Sequence, residues 1–91
     1  MIYRPYFTGT LEEVRPEHFN NAIKSKFGQR PDLNPHGERE LEDGTWLTPT
    51  HDGNYYDERG GQWNELLLNE IDNDGESVQT VYSFGYVRLK R

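Results

Sequence analysis

The residues best suited to chemistry in this chain are carboxylates, which gather into two clusters in the central half of the sequence. The first cluster is Glu38, Glu40, Glu42 and Asp43, and the second is Asp72, Asp74 and Glu76. Alternate residues of a strand project from one face, so the three glutamates of the first cluster would point the same way. If both clusters converge on one side, their summed field attracts a basic partner protein and speeds its association. These seven residues are therefore the predicted partner-binding set. The alternative is that they form a solvated surface that only keeps the protein soluble.

Part of the second cluster has the spacing of an incomplete calcium-binding loop. Residues 70–75 place carboxylates and a glycine at the spacing of the first half of an EF-hand. Val78 and Val81 stand where that loop requires its ninth and twelfth ligands. The three histidines also lack a ligand pair at the helical or hairpin spacing of a zinc site. A tight turn stabilised by its own Asp and Asn side chains explains the segment, so we expect no metal and no cofactor.

Catalytic motifs are missing from the sequence. The chain has no cysteine, which excludes a thiol nucleophile, a thiolate metal site and a disulfide framework. No Gly-x-Ser-x-Gly segment is present. Gly60-Gly61 lacks both the P-loop lysine and the dinucleotide-binding spacing. We therefore predict that the protein is not an enzyme.

The length of the chain indicates one domain, and its charge distribution indicates the class of partner. A chain of 91 residues fits one domain, residues 1–91, and its net charge is −6. Residues 32–76 carry 13 acidic and two basic side chains, whereas the flanking segments are net positive. This balance opposes binding to nucleic acid and favours a basic protein. The chain starts without the apolar stretch of a signal peptide, and no segment approaches the ~20 apolar residues of a membrane span, so we expect a cytoplasmic protein.

The best helix signal spans residues 16–27. Pro16 suits the first helical position, and a glycine follows the last turn. Phe19, Ile23 and Phe27 recur every four residues and form one apolar stripe. The pattern predicts an amphipathic helix whose stripe packs on a sheet.

The remaining elements are predicted to form an antiparallel sheet. Residues 1–7 favour a strand that lies at an edge or is broken at Pro5, because proline cannot donate a ladder hydrogen bond. The three Asp-Gly pairs predict type I′ turns in a central meander, and residues 62–71 fit a helix or a strand equally well. Both faces of residues 77–89 carry large side chains, which predicts a long central strand bent at Gly85. The predicted fold class is α+β, with one amphipathic helix on a small antiparallel sheet of an N-terminal edge strand, a meander and a long C-terminal strand.

These observations lead to three hypotheses for the function. The first is a small acidic protein-binding module, an inhibitor or antagonist whose negative face could mimic a nucleic acid toward a basic partner. The second is an assembly subunit that self-associates through its acidic middle and its basic ends. The third is a single-stranded nucleic-acid binder that stacks bases on strand aromatics, namely Tyr3, Tyr6, Phe7, Tyr82, Phe84 and Tyr86. We favour the first, because the net charge opposes phosphate and the core needs the aromatic rings.

Overall fold

The computed structural model describes residues 2–10, 12–28 and 37–90, with Lys90 described by its backbone alone. Its elements are β1 (Ile2–Phe7), α1 (Pro16–Asn21), β2 (Arg39–Glu40), β3 (Trp46–Pro49), β4 (Tyr55–Tyr56), β5 (Gln62–Ile71) and β6 (Ser77–Lys90). Strands make up 51% of the structure and helix 8%. None of the described helices has the length and apolar character needed to cross a membrane. The fold is a curled antiparallel half-barrel sheet and not a helix packed on a sheet, so the predicted α+β class is wrong.

β5 is the central strand of the sheet. β6 pairs along one edge of β5 over its whole length. The other edge of β5 is shared, since β4 pairs with its first two residues and β1 with residues 66–71. β3 and β2 continue the sheet from β4. β1 is an edge strand and β6 is long, as predicted, but the central position that was expected of β6 belongs to residues 62–71.

α1 ends at Asn21, so the helix predicted over 16–27 is wrong in its second half. Ala22 has extended backbone, and Ile23 exchanges two backbone hydrogen bonds of 2.8 and 2.9 Å with Tyr86. The four-residue apolar spacing is present, but this tertiary β-bridge uses the backbone groups that a helix would need. The stripe therefore does not pack on the sheet as a unit, and its two phenylalanines are 40% and 52% exposed.

Residues 22–26 close the open side of the half-barrel. On one side Ile23 bridges β6. On the other side the backbone of residues 24–26 exchanges two hydrogen bonds of 2.9 Å with residues 40–42. Backbone hydrogen bonds consequently run around a ring from β6 through β5, β4, β3 and β2, and return to β6 through this segment.

The four hairpin turns of the sheet share one loop geometry. In each, the first residue donates its N–H to the carbonyl four positions later and accepts from the N–H of the glycine three positions later. This pattern is a type I turn followed by a left-handed glycine, and the loops are 41–45, 50–54, 57–61 and 72–76. Among the described residues positive φ occurs only at glycines. Three of the four turns lie at the predicted Asp-Gly pairs, and the fourth lies at Arg59-Gly60. The predicted type I′ geometry, which needs two residues with positive φ, is wrong.

The core of the half-barrel consists of a few large side chains. It contains Leu41, Leu47, Tyr55, Trp63 and Tyr86, with Ile23 packed against them. The rings of Tyr55 and Tyr86 meet edge to face with centroids 5.3 Å apart. Each aromatic side chain can bury about 150–250 Å². A chain that is 32% hydrophobic can therefore fill this small interior with five principal residues.

Gly85 lies where residues 22–26 cross β6, and its replacement tests how tight that crossing is. Gly85 has φ +115°, and a Cβ there would meet the Ile23 carbonyl oxygen at 2.7 Å. Gly85→Ala should cost about 1–3 kcal/mol of unfolding free energy for the strained backbone, with a further loss from the contact. Gly75→Ala is the matched control, because Gly75 also has positive φ but has nothing within 4 Å. Urea unfolding should show the larger loss for Gly85→Ala, and equal losses would contradict a close crossing.

Candidate functional site

The two predicted acidic clusters lie at different ends of the molecule. Loops 41–45 and 57–61 lie at the end of the sheet where Gln62 begins β5, which we term the base. Loop 72–76 follows Ile71 at the other end of the same strand, about 30 Å away at ~3.3 Å per residue. The long dimension of the molecule is 40 Å. The seven predicted residues are therefore not brought together into one face.

Within each cluster the carboxylates make different contacts. Both carboxylate oxygens of Glu40 lie 3.4 Å from the Lys26 Nζ. Asp43 accepts the Thr45 N–H at 2.9 Å, and Asp72 accepts two backbone N–H groups of its own turn. The two aspartates therefore stabilise the loops that contain them. The exposed members of the set are Glu42, Asp43, Asp72, Asp74 and Glu76, while Glu38 and Glu40 are half-buried.

Trp46 is an exposed tryptophan near the base of the sheet. Trp46 is 42% exposed and lines two clefts, of about 490 and 440 Å³. We define the Trp46 surface as this ring with the four carboxylates that line the clefts, Glu38, Asp43, Asp57 and Glu58. Arg59 and Arg88 also line the larger cleft. The surface combines an aromatic ring, which can cover an apolar or cationic group, with negative charge at its rim.

Strand alternation explains why Trp46 points outward. Its neighbour Leu47 is fully buried, and Thr48 beyond it is exposed again. Across the pairing of β2 with β3, Trp46 lies opposite Glu40 and Leu47 lies opposite Arg39. The outer face of these strands therefore carries the indole ring and carboxylates, and the inner face carries the aliphatic core.

Asp57 joins the Trp46 surface to the core. Its carboxylate accepts the indole N–H of buried Trp63 at 2.8 Å and the backbone N–H groups of Arg59 and Gly61 at 2.9 and 2.8 Å. The hydrogen bond from Trp63 makes the largest contribution to lowering the pKa of Asp57, and the positive charge of Arg88 adds to it. A carboxylate shared by both clefts is thus ionised and fixed in orientation by three N–H groups.

A second polar group lies inside the half-barrel. Glu65 accepts a hydrogen bond from Ser83 Oγ at 2.6 Å and lies opposite Tyr86, whose hydroxyl accepts one from Arg39 Nε at 3.0 Å. Burial raises the pKa of Glu65, although the Ser83 hydroxyl and the Arg39 charge oppose this shift. Burial likewise raises the pKa of Tyr86. Because these side chains bond to one another, we assign them to the stability of the interior and not to the candidate site.

Three residues of the Trp46 surface are outside the set predicted from the sequence, namely Trp46, Asp57 and Glu58. A signal for two of them was available. Residues 57–61 repeat the spacing of the three Asp-Gly loops, with Arg59-Gly60 in place of Asp-Gly. A fourth turn at this position would have predicted that Asp57 and Glu58 lie at the same end of the sheet as Asp43.

Function could also be indicated by a metal site among the described residues or by similarity to known proteins. Among residues 2–10, 12–28 and 37–90, no three His, Asp or Glu side chains are grouped so that they could hold a metal ion. Comparisons with protein-family models, curated proteins and solved structures yield no match to the chain. The function is therefore inferred from the geometry and charge of the Trp46 surface.

Asp57→Ala tests whether that carboxylate holds the loop against the core. The substitution should lower the free energy of unfolding by about 1–3 kcal/mol, because the N–H of buried Trp63 and two backbone N–H groups lose their acceptor. Glu58→Ala, at the neighbouring exposed position, is the matched control and should leave stability nearly unchanged. Chemical denaturation compares the two, and a similar small effect from both would refute the bonding role of Asp57.

Glu65→Gln tests the raised pKa of the buried carboxyl. The folded protein favours the neutral acid, so this group's contribution to stability is lost as pH rises from its unfolded pKa through its higher folded pKa. Glutamine stays neutral, so the unfolding free energy of the variant minus that of the wild type should increase with pH across this window. Urea unfolding at intervals from about pH 4 to pH 8 measures the difference. A difference that is flat or falls with pH would contradict the assignment.

Proposed function

We propose that this chain is a small acidic protein-binding module, an inhibitor or antagonist that engages a basic partner protein through the Trp46 surface. It acts by binding and not by catalysis. The observation that carries the proposal is the exposed Trp46 ring between two clefts that carboxylates line. Tryptophan is enriched among the residues that dominate binding energy at protein interfaces, and the surrounding charges select the sign of the partner.

The electrostatics of the base favour a cationic ligand. Four carboxylates line the two clefts, against Arg59 and Arg88 in the larger one. The lowered pKa of Asp57 keeps its charge in place at neutral pH. An arginine or lysine side chain of the partner would stack on the Trp46 ring while its charge meets Glu38 or Glu58.

Basic grooves that normally hold nucleic acid are one class of partner included in the proposal, since carboxylates can stand in for phosphates. Direct binding of single-stranded nucleic acid has less support. Tyr86 is buried, and Phe7 packs against His18 with ring centroids 4.9 Å apart, so neither ring is open to stacking bases. The net charge of −6 also repels phosphate.

We further propose a cytoplasmic location, because a chain without cysteine suits a reducing compartment.

The test of this function removes equal charge from opposite ends of the molecule. Asp43→Asn combined with Glu58→Gln neutralises part of the Trp46 surface, and Asp74→Asn combined with Glu76→Gln is the matched control in loop 72–76. A partner captured on the wild-type protein is purified and titrated against each variant by calorimetry. The first pair should weaken binding about tenfold, which corresponds to about 1.4 kcal/mol, and the control pair should change it little.

Trp46→Ala should weaken the same binding further, by about 2 kcal/mol or more, as expected for a central aromatic contact. Asp43→Asn retains the oxygen that accepts the Thr45 N–H, so its effect on binding is separable from an effect on the turn. Higher salt should slow association, because charge steers it. An acidic partner, or equal losses from the two charge pairs, would overturn the proposal.

A further inference from the structure

In the part of the chain that the structure describes, the outer edge of β6 has no strand partner over most of its length. β5 occupies the inner edge, and Ile23 occupies the outer edge at Tyr86. Between Ser77 and Phe84 no described strand pairs with this outer edge, which leaves about 26 Å of backbone at ~3.3 Å per residue. The exposed large apolar side chains on this free stretch are Val78, Val81 and Tyr82.

The two edges of this end of the sheet differ in composition. β1, the opposite edge, contains Pro5, which has no N–H, and the exposed Arg4, and both residues discourage pairing with another strand. β6 carries neither a proline nor a charged side chain from Ser77 through Val87. An uncharged edge of β-branched and aromatic residues is a template for a further strand.

The charge beside the free stretch changes sign from one end to the other. Loop 72–76, with exposed Asp74 and Glu76, leads into it at Ser77. Lys24 lies beside its other end, where its Nζ is 3.4 Å from the Tyr82 hydroxyl. Among the described residues no carboxylate forms an ion pair with Lys24. A second copy placed antiparallel along the edge therefore meets opposite charge at both ends.

We propose that two copies of the chain pair β6 with β6 in antiparallel orientation, about a two-fold axis at the middle of the free stretch, between Thr80 and Val81. This register places Glu76 of one copy opposite Gly85 of the other, and Lys24 lies beside Gly85. The contact occurs twice by symmetry. At this end of the sheet, β1, β5 and β6 of each copy then lie side by side as six adjacent strands. The two Trp46 surfaces remain free at opposite ends of the dimer.

Three β-bulges in β6 reduce the affinity expected of this pairing. The register of β6 against β5 shifts at three places along the free stretch and near its ends, and each shift adds one residue to β6. Bulges at an edge weaken a ladder with a further strand. Burial of Val78, Val81 and Tyr82 and the two contacts between Glu76 and Lys24 must then supply much of the affinity. We expect a dimer that dissociates on dilution and in high salt.

Light scattering coupled to size-exclusion chromatography, over a wide concentration range, tests the dimer. The wild-type mass should rise with concentration from 10.7 kDa toward twice that value. Val81→Lys places two like charges together at the axis and should abolish the dimer. Ile2→Lys is the matched control, since it makes the same type of change at an exposed apolar position on β1 and should leave the dimer intact.

Exchanging the charges of Lys24 and Glu76 tests the proposed register of β6 against β6. The comparison of single and double variants separates this effect from the stability of any one variant. Lys24→Glu and Glu76→Lys should each weaken the dimer about tenfold, because two symmetric attractions become repulsions. The double variant should recover the wild-type dissociation constant. A wild-type mass of 10.7 kDa at every concentration, a dimer in Val81→Lys, or a double variant as weak as its parents would each overturn the proposal. None of these results bears on partner binding at the Trp46 surface, which the separate titration measures.

Discussion

The two backbone hydrogen bonds between Ile23 and Tyr86 hold the half-barrel closed, and the core depends on that closure. An open sheet of the same strands would leave one side of the interior in contact with water. Because the ring is complete, five large side chains are surrounded in a chain that is only 32% hydrophobic. Gly85 permits the crossing, since a side chain there would strike the Ile23 carbonyl oxygen.

The antiparallel order of the strands determines which polar groups lie together at the surface. Successive strands alternate in direction, so loops 41–45 and 57–61 meet at the base beside the exposed ring of Trp46. The aspartates of these loops bond backbone N–H groups and also contribute charge to the clefts. Turn formation and surface charge are therefore properties of the same side chains. Glu65 differs, because its strand position directs it inward, where Arg39 and Ser83 offset part of the cost of burial.

Local signals in the sequence predicted where several elements lie, although the predicted turn type is wrong. The edge position of β1, the turns at the three Asp-Gly pairs and the length of β6 are confirmed. The errors concern contacts between distant residues. The apolar spacing of residues 16–27 is helical, yet Ile23 bonds to a strand more than 60 positions later, and no local pattern reports such a bridge. The separation of the acidic clusters also depends on strand order, and Trp46 could not be distinguished from Leu47 as the outward residue because both are apolar.

The pairing of β1 with β5 has a consequence for biosynthesis. The partner residues of β1 follow it by about sixty positions, so on the ribosome this strand emerges well before the strand that will receive it. The four short hairpin loops close quickly once they are made. Until β5 is synthesised, Pro5 and Arg4 make β1 a poor match for any other extended segment in the crowded cell. The two residues that discourage a further strand at the finished edge thus also protect the nascent chain.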